Sequence, residues 1–210
     1  NFINLKNPLH ITEGRRIVKM KRPFLLLLVT ALAITVSVVF SAHQAFADGT
    51  ETLGPPSIAI ASGSGIVAAG TGLIDPPQPG TINITVPGDV IQALLYWEGQ
   101  MSSNVVGDDT IIVDGMEITG TLIGGQTFFF GGAYSSAFRA DITGSPLVVS
   151  GPNSLMVSGC DFTKVCNGAG LMVIYDDGTS TSIDLRDGLD LAFFNFPEPR
   201  KSTVPQTFSF

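Results

Sequence analysis

The chain has 210 residues, of which 44% are hydrophobic and 14% charged, and its 18 acidic and 11 basic residues give a formal net charge of −7. Six of the 11 basic residues and one of the 18 acidic residues precede Asp48, so residues 48–210 hold 5 basic and 17 acidic residues and a net charge of −12. Such a surface repels nucleic acid and anionic membranes. Both histidines, His10 and His43, also precede Asp48, which excludes Ser-His-Asp catalysis and His-ligated zinc from the rest of the chain.

A pattern typical of an export signal begins at the first methionine, Met20. Lys21 and Arg22 precede the apolar run "PFLLLLVTALAITVSVVF", and "AFA" at residues 45–47 is a cleavage motif. This predicts a Sec-type bacterial signal peptide over residues 20–47 and a secreted or cell-surface protein, which contacts the membrane only through this peptide before cleavage. An uncleaved membrane anchor is the alternative, because the apolar run is close to the shortest that spans a bilayer. We expect residues 1–19 to be a non-native upstream extension.

Short apolar or alternating runs separated by Gly, Pro, Asn and Asp follow a leader, residues 48–56, that we expect to be flexible. These runs are typical of an all-β protein. The run "TINITV" (81–86) places Ile82, Ile84 and Val86 on one face, and "VIQALLYWEG" (90–99) predicts a long central strand. The Gly- and Ser-rich stretch at 62–72 fits either a loop or a weak strand pair.

A hairpin is predicted where "DTIIVDG" and "MEITGTLIG" meet, because Asp114-Gly115 suits the positive φ angles of a type I′ turn. Strand-like runs continue with "QTFFFGG", "AYSSAFRADIT", "SPLVVSG", "NSLMVSG" and "GAGLMVIYDDG", and "TSIDLRDG" with "LDLAFF" predicts a further hairpin. Roughly ten to twelve short strands at this spacing are typical of sandwiches and barrels. Residues 196–210, which hold three prolines, are expected to be a linker or a truncated tail.

Two cysteines and two aromatic residues are candidates for special roles. Cys160 and Cys166 are the only cysteines, and an even pair in an exported chain predicts a disulfide that closes a short loop. Trp97, the only tryptophan, ends an apolar strand, which favours a core position with its N–H satisfied nearby. Stacking on a bound ligand is the alternative for Trp97, and Tyr134 is the second candidate for that role.

Acidic residues cluster near the predicted turns, and three interpretations of them stay open. Such residues cap turns through their own backbone, which "DDG" and "DG" sequences favour. Asp and loop-carbonyl oxygens also bind calcium, although no EF-hand motif is present. Two carboxylates about 5–9.5 Å apart would instead serve a glycoside hydrolase. The candidate calcium ligands are Asp108, Asp109, Asp176 and Asp177, and we expect no other cofactor.

Four segments resemble a domain of unknown function found in exported bacterial and archaeal surface proteins. They are "VIQALLYWEGQ", "GDDTIIVDGMEITG", "AFRADITG…VSGPNSLMVSG" and "GAGLMVIYDDGTSTSIDLRDGLDLAFF", and they span about residues 85–194. The "FRADITGSPLVVSGPNSLMV" segment also resembles a stretch of jelly-roll sandwiches, including non-catalytic sugar-binding domains. Together with the strand pattern, the resemblance implies a jelly-roll-like antiparallel β-sandwich over residues 57–195, and it supplies no catalytic residues.

These patterns favour a non-catalytic extracellular or cell-surface module with a structural or adhesive role. Its partner would be an extracellular protein or a polysaccharide. A carbohydrate-binding module that uses Trp97 or Tyr134 is the first alternative. A secreted Asp-dependent glycoside hydrolase is the second, since that chemistry needs no histidine.

Overall fold

The computed structural model describes residues 45–51, 53–74 and 77–208. The expected extension 1–19 and all but the last residues of the predicted signal peptide lie outside this part of the chain. The described residues form ten strands and no helix long and apolar enough to cross a membrane. The strands are β1 Ala45–Phe46, β2 Gly65–Gly72, β3 Gly80–Val86, β4 Asp89–Met101, β5 Thr110–Val113, β6 Met116–Thr119, β7 Thr121–Phe128, β8 Tyr134–Asp141, β9 Gly151–Ser158 and β10 Val165–Asp176.

The strands form two sheets packed against each other, with orders β1-β7-β8-β4-β10-β2 and β3-β9-β5-β6. Every pairing is antiparallel except that of β1 with β7. Four pairs are nested within one another along the chain: β2 with β10, β3 with β9, β4 with β8, and β5 with β6. This is the jelly-roll arrangement, with β7 added beside β8. The predicted jelly-roll-like β-sandwich is confirmed.

The core lies between the two sheets, where alternate residues of each strand point inward. Strand β3 alternates perfectly, and the inward residues predicted for it are buried: Ile82 at 0%, Ile84 at 7% and Val86 at 1% exposure. Leu95 of β4 and Leu171 of β10 face them from the larger sheet. Burial at about 25 cal/mol per Å² of apolar surface makes this interface the main stabilising term of the fold.

Strand β4 is the central strand that its apolar run predicts, since it lies between β8 and β10. Its inward residue Leu95 and its outward residue Leu94 are both 0% exposed. Chain segments cover the outer face of the six-stranded sheet, so β4 is buried on both faces and reads as a continuous apolar run.

Two of the predicted strand regions are wrong. The "SPLVVSG" run at 145–151 is largely turn, and β9 begins only at Gly151. The predicted hairpin over residues 181–194 is also absent, because this segment forms only isolated bridges from Thr181 to Gly63 and from Asp187 to Gly54. The stretch at 62–72 forms neither a loop nor a strand pair but one edge strand, β2, along β10.

The hairpin between β5 and β6 has the turn that its sequence predicts. Asp114 and Gly115 have φ angles of 49° and 80°, and Val113 pairs with Met116 across them. We expect Gly115→Ala to lower the free energy of unfolding by about 1 kcal/mol, because a side chain disfavours the left-handed conformation. A Cβ at this position meets no atom within 4 Å, so the cost is conformational rather than steric.

Urea unfolding of Gly115→Ala checks this expectation, with Gly72→Ala as the matched control. Gly72 lies in β2, also has open space around its Cβ position, and lacks a positive φ angle. The control should match the parent protein. Equal loss of stability in both variants would contradict the argument from backbone conformation.

Candidate functional site

Asp108 and Asp109 shape the loop that leads into β5. The Asp108 carboxylate accepts hydrogen bonds from the Thr110 N–H at 3.2 Å and the Asp161 N–H at 2.7 Å, and the Asp108 carbonyl accepts one from Trp97 Nε1 at 2.9 Å. Asp109 Oδ1 accepts from the Thr110 hydroxyl at 3.2 Å. Both residues therefore act as turn-capping side chains here, the first of the three interpretations.

Asp176 and Asp177 close the turn after β10 in a similar way. Asp176 Oδ1 accepts hydrogen bonds from the Gly178 N–H at 2.8 Å and the Ser64 hydroxyl at 2.9 Å. Asp177 Oδ1 accepts from the Thr179 hydroxyl at 2.7 Å, and this bond is the main reason why the pKa of Asp177 lies below its ordinary value. The two carboxylates are bound by their own turn and by the start of β2.

The structure does not bring the two pairs of acidic residues together. Asp176 pairs with Asp89 at the start of β4, whereas Asp108 is bound to Trp97 near the other end of that strand. Trp97 lies eight positions after Asp89 in this strand, which corresponds to about 26 Å at 3.3 Å per residue. No group of three or more acidic, Cys or His side chains in the described residues is arranged to hold a metal ion. Calcium binding stays a prediction, without a shared site for these four residues.

The two candidate stacking aromatics have different environments. Trp97 is 2% exposed, its ring stacks on Phe138 with centroids 5.7 Å apart, and its N–H is satisfied. It has the core position that the sequence favoured, which leaves its ring no exposed face for a ligand. Tyr134 is half-buried and packs edge-on against Phe128 with centroids 5.3 Å apart.

Cys160 and Cys166 form the predicted disulfide, with Cα atoms 6.0 Å apart. Both cysteines and the enclosed Phe162 are buried against the core. The loop is also tied to the chain before β3, because Gln78 exchanges two hydrogen bonds with the backbone of Cys160 at 2.8 and 2.9 Å. The disulfide therefore fixes the connection between β9 and β10.

A buried ion pair fixes the segment that covers the outer face of the six-stranded sheet. Arg139 of β8 points to this face and pairs with Asp187, and both side chains are almost fully buried. Arg139 also donates a hydrogen bond to the Ser57 hydroxyl at 3.1 Å, and the backbone of Asp187 is paired with Gly54. The segment before β2, which holds Ser57, and the segment after β10, which holds Asp187, thus both contact the Arg139 side chain.

Beside this ion pair lies a groove of about 480 Å³, which we call the outer-face groove. Tyr96 and Glu98 of β4 line it on one side, and Gly170 of β10 lies directly opposite Tyr96 in the strand register. Leu189 and Asp190 of the covering segment contribute to the walls. The groove exists because Gly170 presents no side chain to the outer face where the covering segment crosses the sheet.

Each of the two carboxylates of the outer-face groove accepts a hydrogen bond through only one of its oxygens. Glu98 Oε2 accepts a hydrogen bond from Asn167 Nδ2 at 2.6 Å, and Asp190 Oδ2 accepts one from the Val204 N–H at 2.6 Å. The other oxygens, Glu98 Oε1 and Asp190 Oδ1, are buried without a hydrogen-bond partner among the described residues, and so are the hydroxyls of Tyr96 and of Ser135, which faces Glu98. Burial raises the pKa of Glu98 above its ordinary value, and the Asn167 and Ser135 side chains partly oppose this.

Neither Glu98 nor Asp190 is among the site residues that the sequence predicts. A weak signal was present in the strand "VIQALLYWEG", where Glu98 is the one charged residue of a run that the fold buries on both faces. Asp190 comes from the segment that was mispredicted as a hairpin. The presence of these two residues in one groove therefore depends on tertiary structure.

We expect Arg139→Met to lower the free energy of unfolding by about 3 kcal/mol, because it leaves Asp187 buried without its cation. The double variant Arg139→Met/Asp187→Leu should recover at least half of this loss, since it removes both buried charges. Thermal and urea unfolding of the single and double variants form a double-mutant cycle. Additive losses in the double variant would show that the two side chains are not coupled.

The raised pKa of Glu98 predicts a pH-dependent effect of Glu98→Gln. The protonated carboxyl is favoured in the folded state, so stability is fully present below the ordinary carboxyl pKa and falls as the pH rises through the raised value. Gln keeps a carbonyl oxygen for Asn167 and has no charge to bury. The variant should unfold at a higher temperature than the parent near neutral pH, and the difference should vanish in acid. A constant difference across the pH range would contradict the assignment.

No protein-family model matches this chain, and no curated protein and no solved structure shows a significant similarity to it.

Proposed function

We propose that this β-sandwich is a non-catalytic module of the extracellular space or the cell surface, with a structural or adhesive role. The observation that carries the proposal is the use of its turn carboxylates. Asp108, Asp114 and Asp177 each accept hydrogen bonds from nearby backbone or hydroxyl groups, and so they close loops of the fold. Carboxylates engaged in this way stiffen the scaffold that such a module presents to its partner.

An extracellular location is supported by the disulfide and by the sequence before Asp48. Disulfides persist in oxidising compartments and are rare in the cytosol. The Cys160–Cys166 bridge therefore suits a protein carried out of the cell by the signal peptide proposed over residues 20–47. An extracellular protein or a polysaccharide is the kind of partner that such a module would contact.

A carbohydrate-binding role is the second candidate, and a group of phenylalanines near Tyr134 favours it. Phe130 stacks on Phe193 with ring centroids 5.5 Å apart, and Phe194 packs against Phe193 at 5.1 Å. Phe130 is 41% and Phe194 is 72% exposed. We call these three residues the aromatic patch. Exposed aromatic rings of this kind present flat apolar faces, the surface on which a sugar ring would stack.

A glycan array on the purified protein separates these functions. A structural module, or an adhesive module whose partner is a protein, should give no glycan-specific signal, and it should leave every arrayed sugar intact. A signal that Phe194→Ser abolishes would instead establish the carbohydrate-binding alternative at the aromatic patch. Met156→Ser is the matched control, because Met156 is 49% exposed on the four-stranded sheet. Release of sugar from any array position would overturn the non-catalytic proposal.

A further inference from the structure

The outer-face groove has the dimensions of a small-molecule site and a floor that leaves it open. Its volume of about 480 Å³ lies within the range of known ligand pockets. A Cβ placed on Gly170 would meet only the Ala69 carbonyl oxygen, at 3.8 Å, so the space above this residue is free. The sheet could therefore carry a side chain at this position. Steric crowding does not explain why residue 170 is a glycine.

Three polar groups without a hydrogen-bond partner in the described part of the chain lie along this groove, and two of them are carboxylate oxygens. Glu98 and Asp190 are each anchored through one oxygen, while Glu98 Oε1 and Asp190 Oδ1 are buried and lack a partner in the described part of the chain. Leaving such an atom unpaired costs free energy, which a donor from a bound ligand would recover. The third unpaired group is the Tyr96 hydroxyl, which accepts as well as donates, so a bound donor group has three acceptors to bond.

The charges around the groove favour a cation. No Lys, Arg or His is among the described residues that line it. Arg139, which lies across from Tyr96 in the strand register, is already paired with Asp187. The two lining carboxylates would repel an anion, and their field is not cancelled by a neighbouring base.

The remaining lining residues are suited to an apolar body. Leu53, Ile123, Leu189 and Val204 contribute apolar surface, and Tyr96 adds an aromatic ring. Burial raises the pKa of Tyr96, with Arg139 opposing this, so the phenol is neutral at physiological pH. A neutral aromatic ring attracts a cation through its face.

From this cavity, its unpaired acceptors and its charge, we propose that the outer-face groove binds a small organic cation, with an ammonium group on a compact apolar skeleton. The ammonium group donates to Glu98 and Asp190, and the skeleton packs between Leu189 and Val204. This is a binding site in addition to the structural or adhesive role, and it does not depend on that role.

Binding should also become tighter as the pH rises. The groups that face Glu98 are Asn167 of β10, Ser135 of β8 and, in the groove, Asp190 and the Tyr96 phenol. Burial raises the pKa of Glu98, and a bound cation would stabilise its charged form. Affinity for the cation therefore increases from acid to neutral pH, and Glu98→Gln should weaken binding and flatten this dependence.

Three compounds of matched shape test the proposal with the purified protein: cyclohexylamine, cyclohexanol and cyclohexanecarboxylate. Affinities are measured by ligand-observed NMR and calorimetry at neutral pH. Cyclohexylamine should bind at least about tenfold more tightly than cyclohexanol, a difference of about 1.4 kcal/mol, and the carboxylate should not bind. Equal binding of the alcohol, or no binding of the amine at millimolar concentration, would overturn the proposal.

Two variants locate the amine within the groove. Gly170→Val fills the open floor and should abolish binding, and Asp190→Asn should weaken it by about tenfold through loss of one charge-assisted hydrogen bond. Asp161→Asn is the control for net charge, because Asp161 is exposed and does not line the groove. Melting curves confirm that each variant is folded. Unchanged affinity in a folded Gly170→Val variant would place the amine elsewhere and overturn the assignment.

Discussion

The buried ion pair between Arg139 and Asp187 determines how the outer face of the six-stranded sheet is organised. Arg139 alone on this face would be an uncompensated charge under a covering segment, and burying such a charge is very unfavourable. Asp187 supplies the countercharge, and its backbone pairing with Gly54 draws a second segment to the same point. Asp190 lies only three residues after Asp187, so the ion pair also determines where Asp190 is placed. The wall of the outer-face groove therefore depends on a contact outside the groove.

Covering the sheet on both faces also explains the composition of its central strands. An antiparallel sheet with one wet face shows alternation, as β3 does with Asn83 exposed between Ile82 and Ile84. In β4 the outward residue Leu94 is as buried as the inward Leu95. The polar residue Gln92 is also buried there, and it bonds the backbone of Ala59 and Ala61 in the second covering segment. The composition of β4 thus reflects burial on both of its faces, one against the core and one against the covering segments.

Much of the fold could be predicted because its causes are local. Period-two alternation placed Ile82 and Ile84, and the left-handed preference of Asp114-Gly115 placed a hairpin. The segment at 181–194 failed for a non-local reason. Its alternating pattern predicts strands, yet Asp187 pairs with Arg139, 48 residues away, and its backbone pairs with Gly54, so the segment lies across the sheet and forms no hairpin. Glu98 and Asp190 line one groove for the same reason, and the spacing between them in the sequence carries no periodic signal. The sequence identifies the acidic residues at 108–109 and 176–177 as turn residues. Only the strand register shows that the two pairs lie far apart along β4.

The outer-face groove lowers the stability of the fold, and a purely structural sandwich would have no reason to retain it. A buried carboxylate with one unpaired oxygen destabilises the fold, and the glycine opposite Tyr96 forgoes apolar packing that a larger side chain would supply. The rest of the molecule can tolerate this cost, because the inter-sheet core and the Cys160–Cys166 bridge stabilise the fold independently of the outer face. Stability and binding are thereby divided between the two faces of one sheet. The inner face holds the sandwich together, and the outer face can keep polar groups unpaired for a ligand.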